Sequence, residues 1–85
     1  MIYVIIPNET IQLNTLDDFI RLKYEHDIDI SSDIKIKKND KGDRVLYVKN
    51  GVSVHHGCIF GSDINLEGGC TVGSNCKIGE NVTVS

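Results

Sequence analysis

From Leu46 to Ser85 the chain repeats a six-residue unit, and no other feature restricts its fold as tightly. Aligned as hexads, the third position reads Val48, Val54, Phe60, Leu66, Val72, Ile78 and Val84, all large and apolar. The first position reads Leu46, Val52, Cys58, Ile64, Cys70, Cys76 and Val82, again apolar throughout. The sixth reads Gly51, Gly57, Asp63, Gly69, Asn75 and Asn81. Gly, Asn and Asp are the residues that most readily take a positive φ. Each unit therefore reads as a flat strand with two inward side chains, followed by a tight corner.

Three such sides close one coil of eighteen residues, and each residue then stacks on the one eighteen positions later. In that register Cys58 lies over Cys76, Cys70 over Val52 and Val72 over Val54. Val72-Gly73, Ile78-Gly79 and Phe60-Gly61 match the aliphatic-then-glycine pattern of the hexapeptide-repeat family, which this region resembles. Val54-His55 and Leu66-Glu67 depart from that pattern. The resemblance implies a mainly β fold: a short left-handed parallel β-helix of about two coils over residues 45–85.

Residues 1–44 lie outside the resemblance and read as a small α+β cap with one helix. Met1 to Ile6 is a β-branched run stopped by Pro7, which predicts a buried strand. Asn14 or Thr15 can cap a helix beginning at Leu16, with Asp17 and Asp18 in its first turn, and the pattern ends at Glu25 or His26. Leu16, Phe19, Ile20 and Tyr24 share one face of this helix, while Arg21, Lys23 and Glu25 lie on another. From Ile28 the period becomes two: Ile28 and Ile30, then Ile34 and Ile36, alternate with polar residues. With the turn cluster Asn39 to Asp43 and the apolar run Arg44 to Val48, this predicts an antiparallel hairpin with a five-residue loop.

A chain of 85 residues buries only a modest core, so a disulfide, a metal or self-association is expected to supplement it. The net charge of -3 disfavours non-specific nucleic-acid binding. Lys35, Lys37, Lys38, Lys41 and Arg44 alternate with Asp33, Asp40 and Asp43 and read as a solvated face, not a nucleic-acid platform. No apolar run is long enough to span a bilayer, and Ile2 to Ile6 is too short for a signal-peptide core and lacks a basic flank. These features point to the cytoplasm, with no membrane contact. Three cysteines do not suggest a disulfide framework; all fall in the inward first column and read as buried, reduced fillers. The glycosylation pattern at Asn8 and Asn81 carries no weight without a secretory signal.

Many members of the hexapeptide family are trimeric acyltransferases in which a histidine serves as general base. The resemblance makes His55 and His56, at an outward-facing corner, the candidates for that role. A zinc site built as in the family's carbonic anhydrases needs three converging imidazoles. His55 and His56 are consecutive and His26 is far off in sequence, so no metal or other cofactor is expected. Asp27, Asp29 and Asp33 fit no calcium loop. Phosphate loops, nucleophile elbows and dinucleotide fingerprints are all missing.

Two functions compete. The favoured one is non-enzymatic: a self-assembling interaction module, trimeric or higher, that binds another protein. The other is a minimal trimeric acyltransferase using His55 or His56. For the module, the expected contact edge is the last turn of the helix, where Val72, Ile78, Val82 and Val84 lie.

Overall fold

The computed structural model describes residues 1–85. Two N-terminal strands, β1 (Ile2–Ile6) and β2 (Glu9–Leu13), precede a helix, α1 (Leu16–His26). Nine short strands follow: β3 (Asp29–Ile30), β4 (Lys35–Ile36), β5 (Arg44–Val48), β6 (Ser53–Val54), β7 (Ile59–Phe60), β8 (Ile64–Leu66), β9 (Thr71–Val72), β10 (Lys77–Ile78) and β11 (Thr83–Val84). They assort into three sheets, ordered β3-β6-β9, β4-β7-β10 and β2-β1-β5-β8-β11. From β3 onward the chain visits these sheets in strict rotation, three times over. All pairings among β3 to β11 are parallel.

The stacking has the period that the hexads imply. Ser53 pairs with Thr71, Ile59 with Lys77 and Asn65 with Thr83, each eighteen residues on. The corners explain why the chain turns where it does. Gly51, Gly57, Asp63, Gly69, Asn75 and Asn81, the whole sixth column, have φ between 57° and 81°. Backbone bonds then tie each coil to the next, as in Ser53 N–H to Cys70 O at 3.0 Å and Gly61 N–H to Ile78 O at 2.8 Å.

The expected hairpin across residues 28–48 does not form. β3 and β4 pair in parallel with β6 and β7, and β5 pairs in parallel with β1 and β8. Ile28-Asp29-Ile30 and Ile34-Lys35-Ile36 are the first two sides of a further coil. Two inward residues flanking one outward residue look the same in a hexad as in an alternating strand. Asp29 pairs with Ser53 across twenty-four residues rather than eighteen, because the segment around Asn39 to Asp43 adds six at one corner. There Asn39 Oδ1 accepts the N–H groups of Lys41 and Asp43, both at 3.0 Å, and closes the excursion on itself.

The actual hairpin lies earlier. β1 and β2 pair antiparallel from Ile2 with Leu13 to Ile6 with Glu9. β1 also extends the parallel sheet through β5, so β2 closes that edge. Helix α1 starts at Leu16, as read from the sequence, and Thr15 is its N-cap, one of the two residues the sequence offered. The Asp18 carboxylate accepts the N–H groups of Asn14 and Thr15 at 2.7 and 2.9 Å. Asp27, at φ 55°, ends it, with its N–H on the carbonyl of Lys23. The helix contributes Leu22 to the core and packs Phe19 against it, and so covers the N-terminal end of the coils.

One apolar core runs through the molecule and contains no buried polar or charged residue. The inward columns supply most of it: Leu46, Val52, Cys58 and Ile64 from the first, and Val48, Val54, Phe60, Leu66 and Val72 from the third. Ile28, Ile30, Ile34 and Ile36 extend the same columns upstream. Burying side chains of this size contributes about 1.5–3 kcal/mol each before conformational entropy is charged against it.

Candidate functional site

His55 and His56 follow β6 at a corner and both are exposed. Their backbones serve the stacking: His55 N–H donates to Val72 O at 3.0 Å, and His56 O accepts from Asn75 N–H at 2.9 Å. Their rings are free of carboxylate partners within ion-pair distance. His56 Nδ1 lies 3.4 Å from Ser74 Oγ, a contact at the outer limit of a hydrogen bond. The nearby Asp33 carboxylate is held elsewhere. It accepts Gly57 N–H at 3.1 and 3.2 Å and Ser31 Oγ–H at 2.6 Å. Those bonds, first Ser31 and then Gly57, hold its pKa below the ordinary 3.8, with a smaller contribution from His56. A shallow open depression lies beside the histidines, lined by Asp29, Ser31, Ser53 and Val54. The two rings therefore stand exposed at one corner, with Ser74 the one side chain near hydrogen-bond reach of His56.

The remaining histidine, His26, sits at the end of α1, 3.5 Å from a Glu9 carboxylate oxygen. No three His, Cys, Asp or Glu side chains lie together as a metal site would require.

The expected contact edge divides by depth. β9, β10 and β11 are the outer strands of the three sheets at one end of the stack. Val72 is buried, Ile78 and Val84 are half-buried, and Val82 is exposed. The cysteines follow the same gradient. Cys58 and Cys70 are buried, but Cys76 is only half-buried, which corrects the expectation that all three are sealed. Cys76 lies in the outermost described coil, stacked on Cys58. Cys58 Sγ lies 3.0 Å from Gly73 O, and desolvation raises the Cys70 thiol pKa.

Two apolar surfaces lie outside the core; the first was not read from the sequence, and the second was read there only as one helix face that included Phe19. One is the outer face of the largest sheet, where Tyr3 pairs with Val45 and Ile5 with Tyr47 across β1 and β5. A groove of about 240 Å³ continues from Ile5 and Tyr47 past Ile6 and Pro7 to Leu66. The second hexad column points outward and is mostly polar, so Tyr47 and Ile59 were visible exceptions within it. The other surface is a stripe on α1 formed by Leu16, Ile20 and Tyr24. These three residues turn away from the core that Leu22 enters. No helix is long and apolar enough to cross a membrane. Comparison of the chain with protein-family models, curated proteins and solved structures finds no match.

Proposed function

We propose that this chain is a small self-assembling interaction module built on a left-handed β-helix, forming a homotrimer or higher oligomer and binding another protein. One observation carries the reading: the apolar quartet Tyr3, Val45, Ile5 and Tyr47 on the outer face of β1 and β5. The inner face of that sheet holds Val4, Leu46 and Val48 in the core, so the quartet lies outside the core, with Tyr47 exposed and the other three half-buried. Aromatic and aliphatic side chains gathered on a flat sheet face are what an intermolecular contact uses. The six-residue pattern and its positive-φ corners support the β-helix and, through the family resemblance, its left hand. The outermost strands β9 to β11, with Val72, Ile78, Val82 and Val84, are a second candidate contact.

The experiment is sedimentation of the wild type and of Tyr47→Glu, with circular dichroism as the control for folding. The expected result is an oligomer that dissociates in the variant. A wild-type monomer, or an oligomer unchanged in folded Tyr47→Glu, overturns the reading.

The acyltransferase alternative draws on His56, which has the Ser74 hydroxyl and Asp33 carboxylate nearby. It requires saturable acetyl-coenzyme A turnover that disappears in His55→Ala/His56→Ala. A blank assay on the wild type is the outcome expected of the module.

A further inference from the structure

Helix α1 exposes three of its largest apolar side chains: Leu16 at 67%, Ile20 at 52% and Tyr24 at 82%. Their spacing of four places them in one line along the helix, while Leu22 enters the core from another face. A stripe of this kind keeps about three large side chains in water with no return to the fold.

The stripe is matched to itself. Ile20 lies at its centre, with Leu16 one turn before and Tyr24 one turn after. A two-fold axis through Ile20, perpendicular to the helix, sets two copies antiparallel. It brings Ile20 against Ile20 of the second copy and Leu16 against its Tyr24. Such an axis also turns each flank of the helix toward the same flank of its copy. One flank carries Asp17 and Arg21, a turn apart and of opposite charge. Their midpoint falls one residue from Ile20, so the same axis places Asp17 beside the copy's Arg21, twice. Arg21 spends its charge in the isolated chain on Glu25, at 3.5 Å on a well-exposed surface, which leaves it able to reach further. Lys23, on the other flank, is turned to Asp29 at 3.7 Å and does not oppose the pairing.

We propose that α1 is a homodimerisation surface, pairing antiparallel with α1 of a second copy through Leu16, Ile20 and Tyr24. The identity of the occupant rests on the assembly reading above, but the surface is a different one from the sheet face. An eleven-residue helix is about 16 Å long, so the contact belongs among small, weak interfaces. Joined to a sheet-face contact within the same particle, it would multiply avidity and carry assembly beyond one ring.

The test is sedimentation in the Tyr47→Glu background, which removes the sheet-face contact, over about 10 µM to about 1 mM, the range of weak interfaces. The expected result is a monomer–dimer equilibrium. Ile20→Glu should abolish it while leaving the helical signal intact. Asp17→Arg should weaken it about tenfold, and Asp17→Arg with Arg21→Asp should restore it. Disulfide trapping gives an independent readout. Ile20→Cys should cross-link to itself under mild oxidant much faster than Glu25→Cys, which lies off the stripe. A monomer throughout in Tyr47→Glu, a dimer indifferent to Ile20→Glu, or a charge exchange that does not restore association each overturns the pairing. If Tyr47→Glu itself has no effect on wild-type mass, the sheet-face reading fails, and Ile20→Glu in the wild type still decides the helix.

Discussion

Asp33 binds the chain one coil away: its two carboxylate oxygens take the backbone N–H of Gly57 at 3.1 and 3.2 Å. The bond joins a corner of the first coil to a corner of the second. With the Ser31 hydroxyl it holds the Asp33 pKa below 3.8 in the folded chain. A carboxylate with a depressed folded pKa contributes stability above its unfolded value and loses it as pH falls through the folded one. Asp33→Asn should therefore lower the thermal midpoint at neutral pH, and the deficit should shrink as pH drops below 3.8. Melting curves of both proteins between neutral pH and strong acid check this. A deficit that stays constant into acid would show that the ionised carboxylate is not the stabilising form.

The three thiols should label in order of depth. Cys58 is 1% exposed and Cys70 8%, whereas Cys76 is half-buried. Cys70 is further protected by its raised pKa, since the thiolate is the reactive form. Native thiol titration followed by peptide mapping should find Cys76 first and the other two only with denaturant. Cys70→Asp should destabilise strongly because it places an unpaired charge in the core. Rapid native labelling of Cys58 would contradict the stacking.

Two glycines that look alike in the repeat should behave differently. A Cβ added at Gly61 would lie 2.8 Å from the Gly79 carbonyl carbon, which is backbone and cannot swing aside. A Cβ at Gly79 would meet nothing within 4 Å. Gly61→Ala should cost about 1–3 kcal/mol, the usual range for overpacking, while Gly79→Ala should be near neutral. Denaturant midpoints of the two variants decide it.

Val82→Lys with Val84→Lys tests the outermost strands β9 to β11 as a contact. Val82 is exposed and Val84 half-buried, so the coils should survive and the change should register on association. The expected outcome is a smaller particle by sedimentation with an unchanged circular dichroism spectrum. The same mass and undiminished partner capture would remove the edge from the interface.

The hexads from Leu46 onward were legible because each carries three signals in register: two inward apolar residues and a corner that needs positive φ. The coil before them was not. Ile28, Ile30, Ile34 and Ile36 fill the same inward columns, but the six extra residues before Arg44 break the count. Asn39 to Asp43 is also an equally good turn for a hairpin. β2 was missed because Glu9-Thr10-Ile11-Gln12-Leu13 is short and half polar, and its strand character comes from pairing with β1. Helix α1 was placed correctly, yet periodicity alone could not separate the side chains that enter the core from those left outside. Phe19 packs on the core and Leu16, Ile20 and Tyr24 do not. That choice depends on where β2 and β3 lie beneath it. The candidate histidines were visible as residues, whereas the apolar pairs on β1 and β5 required the parallel register of strands forty-two residues apart.

The excursion at Asn39 to Asp43 shows that one corner of the stack accepts added length without disturbing the rungs on either side. A Cβ at Gly42 would touch nothing within 4 Å, and the strands on either side of the excursion, β4 and β5, keep their parallel pairing with β7 and β8. This makes the corner a natural display position. A foreign peptide spliced there would leave the scaffold as a tethered loop, and its ends would be held where Asn39 now closes the turn.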